Sequence, residues 1–537
     1  MPWSFMRSAP SATVRRVARP RPETLLYALA LAAGVAPLWV GRHLPMVDLP
    51  QHLHLVAVLR HLDDPGTLYP AYFVRNTSFT PYLGCYEAVR LLAALFPLEA
   101  ADRLFLSAYV VAVPLSGAFL LWSLKRPAWP SLLALPFAYG DSFAWGFVNA
   151  CAAWPLALFG AGACLRALAE PSARRWPVML GACLVAALLF HVAGFAFLLL
   201  AVPLLVVLDP ARGRKSAEVS ARVLGGRRGV LWALVPGTLV FLGWGLTRLA
   251  APSEIVPGAP WRAWGPLLSA RNLVFKGFAQ NAAELPSVLA NELRDGSDRW
   301  PACAAAAVAL AALAASALDR SRQGERDERG ASAPLALAVL ALLCFFALPF
   351  DVRGQVYYLN TRFAQPAAIL LACSVPTVAG RQEHAFLGAG VAVALVLGAV
   401  MGRGFAAYDL EAGALDALVP ATLPRPRVMG LVFDPSARSV THPVFLHAAA
   451  ELARARGGIC NFSFASTPQA PVHYRVSPPP TFPSEWRPGE FRYEVEGRYY
   501  DHFLLRGRDP HSVFGARLGT ELEIVGHEGA FWLVRRR

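Results

Sequence analysis

Apolar residues in this chain fall in long blocks, separated by shorter polar stretches. The apolar runs cover roughly 24–42, 103–124, 129–145, 146–168, 177–191, 192–208, 230–250, 301–318, 334–350, 363–379 and 385–402. A helix that crosses a bilayer needs about 20 mostly apolar residues. The pattern therefore predicts a polytopic α-helical membrane protein with about eleven transmembrane helices. The stretch 177–208 is too long for one helix and reads as a hairpin turning near His191–Gly194. The stretch 129–168 reads the same way, with its turn near Gly140–Asp141.

The polar blocks are not featureless. Leu49–Leu62 has helical apolar spacing through Leu53, Val56, Leu59 and Leu62, and Pro81–Phe96 is apolar but carries Glu87 and Arg90 one turn apart. A charge at the bilayer centre costs about 2.5–3.5 kcal/mol, so both segments are expected to lie as helices at the membrane surface. Beyond residue 403 the texture changes. Arg427–Asp434 reads as a strand, His442–Arg456 as an amphipathic helix, and Tyr499–Arg506 as a strand. Leu522–Arg535 reads as a hairpin turning at Glu528–Gly529. The expected organisation is a basic N-terminus over 1–23, a membrane domain over 24–402 with a first external loop at 43–102, and a small α/β domain over 403–537.

Composition supports the membrane reading. The 537 residues are 55% hydrophobic and only 16% charged, against about 25% charged in soluble domains. The net charge is +14, and Lys occurs only at 125, 215 and 276, so Arg carries nearly all of it. Arg7, Arg15, Arg16, Arg19 and Arg21 precede the first run. Alternate loops then hold Lys125/Arg126, Arg166/Arg174/Arg175, Arg212/Arg214/Lys215/Arg222/Arg227/Arg228, Arg320/Arg322/Arg326/Arg329 and Arg381. The positive-inside rule makes that side cytoplasmic. The first helix is read as retained, since no small-residue cleavage site follows it. The expected location is a bacterial inner membrane, with the N-terminus cytoplasmic and the C-terminal domain extracytoplasmic. Charge of this kind is a topology signal and gives no reason to expect nucleic acid as a partner. The eight Cys form no metal-binding pattern, and only Cys85 and Cys460 fall on the external side. There is no phosphate-cradling glycine loop, no HExxH and no GxSxG, which argues against direct use of a cytosolic nucleotide.

Four positions stand out on the external side. Asp48, in Pro45-Met-Val-Asp48-Leu-Pro50-Gln-His52, follows the first helix directly. A carboxylate there suits a general base or a metal ligand; a helix cap with Pro close behind is the plainer reading. Asp141, in Tyr139-Gly-Asp141-Ser, is a turn residue or a second functional acid at the same depth. His191, at a hairpin tip, either caps the turn or donates to a phosphate or holds a metal. Arg362 enters a span from outside, against the charge rule, and either snorkels to headgroups or binds a phosphate. His52, four residues after Asp48, and Lys276, in the long external loop, are further candidates for the same ligand.

This arrangement resembles the GT-C superfamily of membrane glycosyltransferases, which includes protein O-mannosyltransferases, the lipid A aminoarabinose transferase and oligosaccharyltransferases. Asp48, Asp141 and Arg362 stand where those enzymes place an essential acid, a second acid and an arginine near the donor phosphate. Asp48-Leu-Pro50-Gln-His52-Leu, Trp145-Gly-Phe-Val-Asn149 and Phe190-His191 look like those of a bacterial group of GT-C-like proteins. The likeness covers the membrane part, about 400 residues. It departs where several GT-C families carry paired acids in the first loop, since Leu49 sits beside Asp48.

The resemblance implies sugar transfer from a polyprenyl-phosphate donor to an extracytoplasmic acceptor, such as an envelope glycan, lipid or protein. Asp48 and Asp141 would be the catalytic acids, and Arg362, His191, His52 and Lys276 would hold substrate or phosphate. A divalent cation, Mg or Mn, is the one cofactor it raises. Membrane lipids and the lipid-linked donor are the expected partners. The alternative is a transporter, flippase or scaffold for envelope polysaccharide assembly. Transporters place charges and broken helices near the bilayer midplane, often with repeat symmetry, and this sequence has neither signal.

Overall fold

A computed structural model describes residues 22–209, 217–250, 270–320, 329–352, 356–378, 380–467 and 469–537. The N-terminal arginines, Arg212, Arg214, Lys215, Arg322 and Arg326 lie outside the described residues, as does the part of the long external loop at 251–269.

Each of the eleven apolar runs coincides with a helical segment. Six are long and apolar enough to cross a membrane: Pro22–Trp39, Leu98–Ser123, Val148–Ala169, Gly225–Leu246, Arg299–Leu318 and Arg381–Ala421. Arg175–Phe190, Val192–Val207 and Ser332–Ala347 are shorter apolar helices. Ala364–Cys373 is shorter still. Trp129–Tyr139 is an eleven-residue 3-10 stretch. A 3-10 run of this length is uncommon. Here Pro130 and Pro136 withhold two backbone donors, and every residue but Phe137 is buried against neighbouring helices. Irregular backbone at membrane depth is tolerated only when protein surrounds it. The Gln365 amide supplies one missing bond, donating to the Phe137 carbonyl at 3.0 Å.

Helix faces turned away from the bundle are apolar. Leu231, Trp232, Leu239, Leu242 and Leu246 share one side of a helix and are each more than half exposed. A lipid solvent accounts for such a face; water does not. The chain is a multi-pass membrane protein.

Both short helices expected between the first two runs form: Leu49–Arg60 and Leu83–Leu92. The second is too short to cross, and Glu87 takes ion pairs from Arg75 and Arg90. The last membrane helix, Arg381–Leu418, has 38 residues. At 1.5 Å per residue it is about 57 Å long, well beyond a bilayer core of about 30 Å. Its C-terminal end carries Asp409 and Asp416, which accept from the backbone and side chains of Arg42 and His43.

The tail forms a five-stranded sheet in the order Ile459–Cys460, Arg427–Val432, His502–Arg506, Phe531–Arg536, Leu522–Glu528. The first three strands are parallel and the last two antiparallel. The hairpin turns at Gly529, whose φ of 55° suits a tight turn. The expected helix over His442–Arg456 is corrected: only Ala448–Ala455 is helical. Pro443 and a bridge from Val440 to Leu293 hold residues 440–447 in an irregular path. Cys85 and Cys460 are buried free thiols, as are most of the other cysteines.

This sheet domain is tied to the membrane part rather than tethered to it. Phe73–Arg75, in the loop between the first two membrane helices, pairs antiparallel with Val472–Tyr474. Arg454 inserts between Glu99, at the start of a membrane helix, and Glu451, at 2.7 Å from each. Removing one partner of a buried ion pair leaves an uncompensated charge. Arg454→Ala is therefore expected to cost about 3 kcal/mol or more. Limited proteolysis should release the C-terminal domain sooner, with the helices of the membrane part intact.

Candidate active site

The loops at 41–48, 140–149, 190–193, 290–298, 350–352, 356–362 and 434–447 gather at one end of the helix bundle, under the sheet domain. Backbone hydrogen bonds fix this. Val47 N–H donates to the Ala144 carbonyl at 2.9 Å, and Asp48 N–H to the Trp145 carbonyl at 3.1 Å. The loops that carry Asp48 and Asp141 are thus stitched together near the two acids. Gly146 is required at the seam. Its φ is +85°, and a Cβ there would come within 2.9 Å of both the Cβ and the nitrogen of Asp48. Cys85 N–H donates to Asn149 Oδ1 at 3.1 Å and brings the Leu83–Leu92 helix to the same place.

Asp48 stands at the start of its helix, yet its side chain makes no capping bond. Its Oδ1 instead meets His447 Nε2 at 3.3 Å. The other ring nitrogen of His447 lies 3.2 Å from Glu485 Oε2. Asp141 Oδ1 lies 3.0 Å from His442 Nε2. Both histidines come from one six-residue stretch of the C-terminal domain. They and Glu485 were not among the residues the sequence singled out. The signal was present as two histidines five apart in Thr441-His442-Pro-Val-Phe-Leu-His447, but a helix there would have carried them on different faces. A further acid, Glu292, is 1% exposed beside Asp298 and Asp141. Burial and those two neighbours hold its carboxyl well above the ordinary carboxylate range.

Arg362 and His191 meet, with Arg362 Nη1 against His191 Nε2. His191 Nδ1 accepts from Ala193 N–H at 3.0 Å, which caps the helix after the hairpin break. A neutral ring that accepts at Nδ1 carries its proton on Nε2. Two donors therefore meet in direct contact, an arrangement that an anionic oxygen accepting from both would relieve, while Arg362 Nη2 donates to the Tyr357 carbonyl at 3.1 Å. Among the described residues no carboxylate lies within ion-pair reach of Arg362, and its Nε has no partner. The guanidinium rests over Phe147, 4.4 Å from the ring centroid. Tyr82 packs edge-on to His191 at 4.7 Å. Tyr82 and Tyr358 both adopt left-handed backbone angles, φ 79° and 56°, a strain of about 1–2 kcal/mol each.

Between Arg362 and the acids runs an aromatic surface. Trp145 lies 4.9 Å from Tyr358, 5.6 Å from His442 and 6.3 Å from Trp486 of the sheet domain, and Tyr358 lies 6.0 Å from Phe147. The other two candidates have partners of their own. His52 bonds Tyr86 through Nδ1 at 2.8 Å and the Gly146 carbonyl through Nε2 at 3.1 Å. Lys276 pairs with Glu284 and lies 3.6 Å over the Phe350 ring. Among the described residues, no group of three or more His, Cys, Asp or Glu is arranged to hold a metal ion.

The fold is similar to that of solved membrane-protein structures. Two solved structures of ArnT from Cupriavidus metallidurans show the likeness over nearly the whole of both chains. The form bound to undecaprenyl phosphate overlays with a TM-score of 0.54 at 12% identity, over 95% of this chain and 97% of that one. The apo form gives 0.51 at the same identity and coverage. An archaeal oligosaccharyltransferase, AglB from Archaeoglobus fulgidus, overlays more loosely, with a TM-score of 0.43 at 12% identity, over 90% of this chain and 69% of that one. No protein-family model and no curated protein matches the sequence, so the relation is one of fold.

Burial alone would lower the His447 value, but the Glu485 and Asp48 carboxylates outweigh it and push it up to about 10. An unfolded histidine titrates near 6.5. The resulting stabilisation is complete below that pH and is lost as pH rises toward about 10. The unfolding temperature of the wild type should therefore fall across that window. His447→Gln should remove that slope.

Proposed function

We propose that this protein transfers a sugar from a polyprenyl-phosphate donor to an acceptor on the extracytoplasmic face of a bacterial inner membrane. The observation that carries the reading is the buried Arg362 guanidinium, which touches His191 through Nη1 and the Tyr357 carbonyl through Nη2, has no partner at Nε and has no carboxylate in ion-pair reach among the described residues. It stands at the same end of the bundle as two acids on stitched loops. The GT-C fold adds support, as ArnT has been solved with undecaprenyl phosphate.

The donor enters sideways from the bilayer, and its phosphate meets the N–H groups of Arg362 and His191. Trp145, Tyr358 and Trp486 offer apolar ring faces between that phosphate and the acids, where a sugar would lie. Asp48 orients the acceptor hydroxyl and takes its proton. The hydroxyl oxygen attacks the anomeric carbon, and the bond to the lipid phosphate breaks with its electrons on the phosphate. Arg362 and His191 stabilise that departing charge. Because phosphate is a good leaving group, positioning and charge stabilisation supply most of the catalysis. Asp141, held by His442, lines the acceptor side. The residues at hand do not gather around a cation, so no step is assigned to Mg or Mn.

The transporter reading is weaker on one observation. The polar groups collect at one end of the bundle, under the sheet domain, and not halfway along the spans.

Two measurements test the proposal. Arg362→Ala removes charge-assisted hydrogen bonds worth about 1.5–3 kcal/mol, so binding of undecaprenyl phosphate should weaken about ten- to hundredfold. Asp48→Asn should still insert, fold and bind undecaprenyl phosphate, yet release none from lipid-linked sugars. Wild-type turnover by Asp48→Asn would remove Asp48 from the mechanism.

A further inference from the structure

We propose that His447, presented by the C-terminal domain and braced by Glu485, is the cationic partner of Asp48 and stands there in place of a divalent cation. This rests on the reading of Asp48 as the reactive carboxylate.

The geometry is specific. A ring whose two nitrogens each face a carboxylate, at 3.3 Å and 3.2 Å, donates to both only as an imidazolium. The side chain is 4% exposed, so water contributes little to that choice. Phe464 packs edge-on to the ring at 5.6 Å. The segment that carries it is fixed from three sides. Thr441 N–H donates to the Glu292 carbonyl at 2.9 Å, Phe445 N–H to the Pro435 carbonyl at 3.0 Å, and Arg506 lies 4.4 Å over the Phe445 ring. His447 is therefore delivered to Asp48 already oriented.

A divalent cation needs several donors converging on one point. Here the acids do not share a point. Asp141 has its own histidine, His442, and Asp48 has His447. The site thus holds two acid–histidine pairs, each built across the junction of the membrane part and the sheet domain. On Asp48 the ion-pair contact is with Oδ1, and among the described residues no hydrogen bond reaches Oδ2, which is left for the acceptor. His447 is a positioning residue: it fixes which oxygen of Asp48 works and supplies the balancing positive charge. This also gives the C-terminal domain a part in the chemistry.

The test uses the full-length protein in lipid nanodiscs. Calorimetric titration with MnCl2 should give the same heats for wild type and Asp48→Asn. Saturable Mn binding by wild type that Asp48→Asn loses would overturn the proposal. Release of undecaprenyl phosphate from lipid-linked sugars of a bacterial membrane extract should withstand EDTA. His447→Gln should lower kcat about 100-fold with KM for the lipid changed less than about threefold, and His447→Arg should recover part of the loss. EDTA-sensitive turnover restored by Mn, or a wild-type rate in His447→Gln, would also overturn it. Binding of undecaprenyl phosphate separates the two readings. Its retention in His447→Gln reports an intact lipid site. If no form binds the lipid, sugar transfer fails as a reading, and the Mn titration alone decides whether Asp48 prefers His447 or a metal.

Discussion

Buried charge needs a partner, and at one end of this bundle the partners come from distant parts of the chain. Asp48 meets His447, Asp141 meets His442, and Glu99 meets Arg454. Each pair joins the membrane part to the sheet domain across roughly 300 to 400 residues of sequence. A carboxylate set at the edge of a low-dielectric layer is costly alone. The pairs that relieve this cost also determine how the domain sits on the bundle.

The loops below that junction are arranged with little freedom. Gly146 lets the second loop close on Asp48 with no atom to spare, and two backbone hydrogen bonds lock the approach. The hairpin break at His191 serves the same end, because capping the following helix turns its second nitrogen toward Arg362. One residue thus ends a helix, starts another and faces the guanidinium. The strained Tyr82 and Tyr358 sit beside these groups, where left-handed backbone is held by the surrounding packing.

The result is a run of side chains with a cationic end, aromatic rings in the middle and an acidic end. Arg362 and His191 make the first, Trp145, Tyr358 and Trp486 the second, and the two acid–histidine pairs the third. That is the order the proposed sugar transfer requires of phosphate, sugar and acceptor hydroxyl. Trp486, Glu485 and both histidines belong to the sheet domain, so these contacts exist only when that domain is docked.

Much of this was legible in the residues. Runs of about 20 apolar side chains can be stable in few ways other than as membrane helices, and the breaks at Gly140 and His191 are marked by a helix-breaking residue and a lone polar one. Asp48, Asp141 and Arg362 stood out because charge is rare beside spans and each lies where the charge pattern does not call for it. The partners were not legible. The chain has 12 histidines and 36 acidic residues, and their pairing depends on distances across the fold that local pattern does not encode. The segment 442–447 looked helical because its apolar spacing is helical. Only packing against Glu292, Leu293 and Asp48 pulled it into an irregular path, with contacts that a helix would have lost. Sequence determined which segments enter the lipid and which residues are too polar to lie idle there. Tertiary structure decided which of them touch, because an ion pair is a matter of a few ångströms between atoms that the chain order leaves hundreds of residues apart.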